Sequence, residues 1–362
     1  SKNLLMLQDN LIGAALRFRN TELWKRLRES QLFVVKLPDG EMVYCAVMGN
    51  KGEYLALGMY KGAEGLSSYF NSLRMSRESA IDIMSTKMLF NHINCTFENA
   101  SMLHFPEYKA EIQAYAKANG LKIRRSRGYP EFLCMRPCKM DTPISDPEEQ
   151  AWATETLDAA TALALRMKTE DPIAMGFAKP GSYPPEKGGR KIPMLERQAD
   201  GSFLFSQFVM PASSAPSFPT VPFEDEQIAR KFKSIKKHPN FAVQCRAISI
   251  EVAEMAEENR FGILLLSSCE DQDGVALKPV IGQRFPNNSS DMLTEFGEYL
   301  IETVDFLPVA IEVNDELTAS IMKDFCEKCG IKLRVIDDER RMRSLMEQVY
   351  IYLMGIGYRI GF

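Results

Sequence analysis

The chain has 362 residues, 45% hydrophobic and 25% charged, enough for two domains of ordinary size and too apolar for wholesale disorder. A formal net charge of −4 excludes a global attraction to nucleic acid or anionic membrane. No apolar run approaches the roughly 20 residues of a membrane span, and Gln8, Asp9 and Asn10 interrupt the apolar start too early for a signal peptide, so a cytoplasmic protein is expected.

The first helix is predicted from about Asn10 to Glu29, with Leu11, Ala15, Phe18, Leu23 and Leu27 as its apolar face and a break near Asn20-Thr21. Three strands follow, Leu32 to Leu37, Met42 to Met48 and Tyr54 to Tyr60. They are separated by Pro38-Asp39-Gly40, where proline fixes φ and glycine accepts a positive φ, and by Gly49 to Gly52. Helices are expected over Gly65 to Leu73 and Arg77 to Met88, then a strand from Asn91 to Glu98. A helix from Tyr108 to Ala118 stops at Asn119-Gly120, and Leu121 to Arg125 reads as the next strand. Asp146-Pro147-Glu148-Glu149 opens a long helix to about Met167, with a capping carboxylate, a first-turn proline and acids that complement the dipole.

Residues 171–222 are punctuated by nine prolines and read as a connecting arm between the domains 1–170 and 223–362. The arm holds a hairpin, Ile192 to Arg197 and Phe203 to Phe208 around Asp200-Gly201. The second half starts with a helix, Glu224 to Lys237, and strands Val243 to Val252, Gly262 to Ser268 and Val275 to Ile281. A helix (Asp291 to Val304), a strand (Pro308 to Val313), a helix (Asp315 to Lys328), a strand (Ile331 to Ile336) and a last helix (Glu339 to about Met354) complete it.

The element order is then β-β-β-α-β-α-β-α in both halves. Gly120-Leu-Lys-Ile-Arg124 also matches Gly330-Ile-Lys-Leu-Arg334 in character, with Tyr115 and Phe325 at the same distance upstream, which suggests duplication. Three antiparallel strands followed by alternating helices and strands resemble the ribonuclease H-like topology, so the expected fold is α/β with mixed sheets in two tandem units of that kind. The phrase Gly58-Met-Tyr-Lys-Gly62-Ala-Glu-Gly65-Leu66, after Trp24 and the turn at Pro38-Asp39-Gly40, is similar to an uncharacterised bacterial family with paired domains of unknown function. That similarity implies no activity, cofactor or partner.

Active ribonuclease H-like enzymes hold two metal ions between clustered acids. The second half offers Glu251 on its first strand, Asp315 after its fourth, and Asp337, Asp338 and Glu339 after its fifth. Glu251, Asp315 and Asp338 are therefore the catalytic candidates, although helix capping and solvation account for the same acids. The first half has no acid on its first strand and only Glu98 on its fourth.

Eight cysteines include Cys326-Glu-Lys-Cys329, but Cys134 and Cys138 give no matched second pair. The CxxC lies at a helix C-terminus, where the dipole opposes a thiolate. Reduced cysteines, no metal and no cofactor are expected. The three histidines, His92, His104 and His238, are scattered, and no Walker or G-x-G-x-x-G sequence appears. Basic residues mark the nucleic-acid candidates: Arg124 and Arg125 beside Lys122 and Arg127, and Lys233, Lys236 and Lys237 in the helix opening the second half. Lys187, Arg190 and Lys191 add to them from the arm. The sequence thus favours a non-catalytic binding or scaffold protein, with protein or nucleic acid left open as partner and no membrane. The alternatives are a metal-dependent nuclease or phosphoryl-transfer enzyme in the second half, and nucleic-acid binding without cleavage.

Overall fold

The computed structural model describes residues 7–75, 80–215, 217–251, 260–269, 275–276, 279–282, 284–287, 289–304, 306–337 and 339–355. The chain is mixed α/β and forms two compact units, each with its own sheet of mixed strand direction. The first unit comprises residues 1–71, 90–136 and 141–215, and the second comprises 72–89, 137–140 and 216–362.

In the first unit β1 (Phe33–Lys36), β2 (Met42–Met48) and β3 (Ala56–Lys61) form the expected antiparallel meander. The meander then continues: β4 (His92–Glu98) pairs antiparallel with β3, and β5 (Tyr129–Arg136) antiparallel with β4. β6 (Lys139–Pro143) closes that edge, and the full order is β6-β5-β4-β3-β2-β1-β7-β8. The hairpin of the Pro-rich stretch is part of this sheet. Its first strand, β7 (Lys191–Arg197), runs parallel to β1, and β8 (Phe203–Val209) returns along β7. An open β1 edge would leave backbone donors and acceptors unpaired, and the hairpin satisfies them.

Helices α1 (Asp9–Thr21), α4 (Tyr108–Ala118) and α5 (Pro147–Arg166) cover one face of this sheet. Leu11, Ala15 and Phe18 of α1 and Leu157, Ala160 and Leu163 of α5 meet Val35, Cys45, Leu57, Ile93 and Phe132 in one core. Asp146 caps α5 as expected, accepting the Glu148 N–H at 2.8 Å.

Helix α2 (Gly62–Met75) follows β3 without a loop, and the glycines of the Gly58-to-Leu66 phrase explain how. Gly62 has φ +68°, which turns strand into helix. A Cβ on Gly65 would lie 2.4 Å from the Tyr60 carbonyl carbon, so the helix seats directly on the strand backbone. The Tyr60 ring lies over Gly58 and 4.5 Å from the His92 ring. Ser68 of α2 thereby reaches His92, with its Oγ 2.7 Å from Nδ1.

The second unit takes in α3 (Ala80–Lys87), α6 (Glu226–Ser234), α7 (Ser289–Thr303), α8 (Glu316–Cys329) and α9 (Glu339–Gly355). Its strands are β9 (Lys237–Ile250), β10 (Gly262–Cys269), β11 (Val275–Ala276), β12 (Val280–Gly282), β13 (Leu307–Val313) and β14 (Lys332–Val335). The sheet order is β11-β10-β9-β13-β14, with β12 also on β10. β10 runs antiparallel to β9, while β13 and β14 run parallel to it. The predicted third strand is thus two short ones. Residues 137–140 join this unit through the backbone: Cys138 N–H donates to Met88 O at 2.8 Å, and Phe261 N–H donates to Cys138 O at 3.2 Å. Phe296 and Phe325 pack 5.6 Å apart at the centre of the core between the sheet and α6, α7 and α8.

Two expectations are corrected. The halves do not share a strand order, because the fourth strand pairs antiparallel with the third in the first unit and parallel with the first in the second. Nor is Leu121 to Arg125 a strand; the chain stays irregular until β5. The likeness of the Gly120 and Gly330 segments has a local cause. Both glycines have left-handed φ, +63° and +65°, and both end helices by the same device: Leu121 N–H bonds Ala116 O, and Ile331 N–H bonds Cys326 O. That is a helix-stop motif, which selects glycine and a following apolar residue in any fold.

Two measurements test this account. Gly65→Ala should destabilise the protein by about 2 kcal/mol in urea titration, because strand and helix must part to admit the methyl. Burial, with Arg136 adding, pushes the His92 pKa from its ordinary 6.5 down to about 3. The unfolded chain takes up a proton in that window that the folded chain does not. Stability should therefore fall as pH falls from 6.5 toward 3, by up to about 1.4 kcal/mol per pH unit, and His92→Gln should flatten that slope.

Candidate functional site

The acids singled out from sequence do not converge. Asp315 is the N-cap of α8, accepting the Thr318 N–H at 2.9 Å and also binding the Thr318 hydroxyl. Glu251 lies just past the end of β9 and is exposed. The Thr318 hydroxyl accepts the Ala247 N–H, and Glu251 is four residues further on, about 13 Å along an extended strand. Asp338 lies outside the described residues.

What meets Asp315 instead is Arg246, whose side chain is only 3% exposed. One terminal nitrogen donates to Asn314 Oδ1 at 2.9 Å and sits 3.4 Å from Asp315 Oδ2, and the other donates to Asp82 of α3. Burial holds the Asp315 carboxyl above its ordinary pKa, against the downward pull of Arg246 and Thr318. One row further back, Gln244 donates to the buried Glu312 at 2.8 Å, and Arg334 lies 3.6 Å from that carboxylate. The carboxyl ends of the parallel strands thus carry acids already matched by guanidinium groups. Among the described residues no three His, Cys, Asp or Glu side chains are grouped to hold a metal.

Seven cysteines among the described residues are equally enclosed. Cys326 and Cys329 are buried on α8, and burial pushes both thiols up to about 12.

The basic candidates separate by unit. Lys237 begins β9 rather than ending α6, and its Nζ donates to Gly330 O at 2.6 Å, capping α8. Lys236 is exposed, and Lys233 lines a cleft of about 500 Å³ that also carries Glu224, Asp225 and Glu226. Charge there is balanced.

The first unit differs. Arg124 lines a cleft of about 320 Å³ with Arg17, Arg19, Lys122, Asn20 and Tyr115, and no acid is among the lining residues. Arg125 is exposed on the same 121–128 loop. Sequence reading missed Arg19, because an arginine on an amphipathic helix reads as solvated. Its side chain is buried, with the guanidinium 5.1 Å from the Trp24 ring. Nε donates to Arg127 O at 2.6 Å and Nη2 to Ser126 O at 3.2 Å, so it holds the basic loop against α1. Nη1 is buried without a hydrogen bond.

The nearby counter-charge is thin. Glu22 lies 2.8 Å from Lys25 Nζ, 3.0 Å from Arg124 and 3.9 Å from Arg19, one carboxylate for three cations. Asp158 pairs with Arg17 at 2.8 Å. Burial, then Arg124, lowers the Arg19 pKa against the pull of Glu22. The cleft therefore holds net positive charge on a loop fixed in advance.

Two family models match parts of the chain. Residues 9–181 match a domain of unknown function, DUF7309. Residues 228–350 match a second domain of unknown function, DUF6930. No curated protein is significantly similar to the chain. No solved structure is either. Among the described residues no helix is long and apolar enough to cross a membrane.

Arg246→Leu should leave Asp315 buried with no guanidinium beside it. A loss of about 3 kcal/mol is expected in chemical denaturation, recovered in part by adding Asp315→Asn, which keeps the cap and removes the charge.

Proposed function

We propose that this is a non-catalytic binding protein whose first unit takes up a phosphate-bearing ligand in the cleft between α1 and the 121–128 loop. The observation that carries this reading is the set of four cations, Arg17, Arg19, Lys122 and Arg124, lining a cleft with no acid among its lining residues. Phosphate contacts of this kind supply affinity without sequence readout, so single-stranded nucleic acid is a natural ligand class.

The second unit is proposed to be a ribonuclease H-like domain without the metal-binding acids. Its sheet supports this: the first three strands lie in the order third, second, first, the fourth and fifth are added beside the first, and the second strand is antiparallel to the first. Arg246 stands against a nuclease, since it occupies Asp315, one of the carboxylates that a pair of metal ions would need.

Binding of a labelled single-stranded RNA and of inorganic pyrophosphate should be measured across a salt series. Affinity is expected to fall linearly in log–log form with a slope near −0.7 per phosphate contact for RNA. Lys122→Glu with Arg124→Glu should weaken binding at least tenfold, and the RNA should remain uncut in magnesium or manganese. No binding of either probe at low salt, or equal binding by the double variant, would overturn the reading. Cleavage that disappears in both Glu251→Gln and Asp315→Asn would replace it with the nuclease.

A further inference from the structure

A second cleft in the first unit, of about 290 Å³, lies where β3 ends, β4 begins and α5 begins. Lys61, Glu64, His92, Arg136, Glu148 and Trp152 are among its lining residues. His92 is 4% exposed and held between Tyr60 and Phe90, with ring centroids 4.5 and 5.1 Å away. Ser68 Oγ accepts the Asn91 N–H at 2.9 Å and lies 2.7 Å from His92 Nδ1. With the hydroxyl as donor to Nδ1, the ring proton sits on Nε2. Nε2 has no hydrogen bond among the described residues. The ring lines the cleft.

This arrangement excludes two familiar roles. A protonated Nε2 has no lone pair for a metal, and the Ser68 side chain that fixes the tautomer is fully buried, so it is no accessible nucleophile. What remains is a neutral N–H donor kept neutral by burial. Lys61 stands on the same cleft, with its Nζ 5.9 Å from the centre of the Trp152 ring. Arg136 is already taken up by Glu149 and by the Met135 carbonyl. The two open donors therefore face a site that also presents Glu64 and Glu148. Acids so close disfavour a phosphate and favour a ligand with an ammonium group of its own. The volume sits at the small end of ligand pockets, which run from about 300 Å³ upward.

We propose that this cleft binds a small zwitterion of the α-amino-acid class, its carboxylate on His92 Nε2–H and Lys61, its ammonium toward Glu64 and Glu148, and its side chain against Trp152. The Gly58-to-Leu66 phrase then has a purpose beyond folding, because it seats α2 so that Ser68 fixes the His92 tautomer and places Lys61 and Glu64 at the rim.

The test uses the full chain labelled with ¹⁵N-histidine, where only three histidines contribute. The common amino acids are added singly at millimolar concentration, beside acetate and methylamine as half-ligands. At least one amino acid should shift the His92 Nε2–H resonance and raise the melting temperature, with each half-ligand at least tenfold weaker. Lys61→Met, at a half-exposed position that leaves the fold intact, should weaken binding at least tenfold. Lys122→Glu with Arg124→Glu should leave it unchanged, which separates this site from the basic cleft. No resonance shift with any amino acid, equal binding of acetate, or undiminished binding by Lys61→Met overturns the proposal.

Discussion

A guanidinium cannot be enclosed in a protein without acceptors, and each unit of this chain is arranged around one that is. In the first unit Arg19 reaches through the α1 face and takes two carbonyls of the 126–127 backbone. In the second, Arg246 on the central strand takes up Asp82, Asn314 and Asp315. The desolvation cost of such a charge is several kcal/mol, so the surrounding segments are held where the acceptors must be. Arg19 fixes an otherwise irregular basic loop. Arg246 ties α3, contributed from far upstream, to the strand ends of the second sheet.

The same constraint separates the two candidate chemistries. Carboxylates gathered at the ends of parallel strands are the raw material of a metal site, and in the second unit they are neutralised by arginines on neighbouring strands. The first unit has the opposite imbalance: cations outnumber the two acids that serve them, Glu22 and Asp158, and the 121–128 loop is already in place. Preformed positive charge of this kind suits binding, because little ordering is left for the ligand to bring about.

The His92 cleft has a different character. Burial holds its ring well below the ordinary imidazole pKa, and a buried hydroxyl fixes the direction of the ring. Glycines at 58, 62 and 65 allow the close contact between β3 and α2 on which that direction depends.

The sequence by itself determined most of the elements. The meander, α4, the capped α5 and the alternation of helices and strands in the second unit follow from periodicity, turn residues and caps, which act over a few residues. Tertiary structure decided how the strands pair. β4 joins β3 in one sheet and β13 joins β9 in the other, and local pattern cannot distinguish these because a strand's apolar alternation is the same beside either neighbour. β5 went unseen because Pro130 argues locally against a strand, while pairing with β4 overrides it. The matching glycine segments were legible as helix stops but not as evidence of a shared fold. Among the site residues, Arg124 was visible from the run of basic residues around it. Arg19, Arg246 and His92 were not, since burial gives a charged or titratable side chain its role and burial is fixed only when distant segments pack.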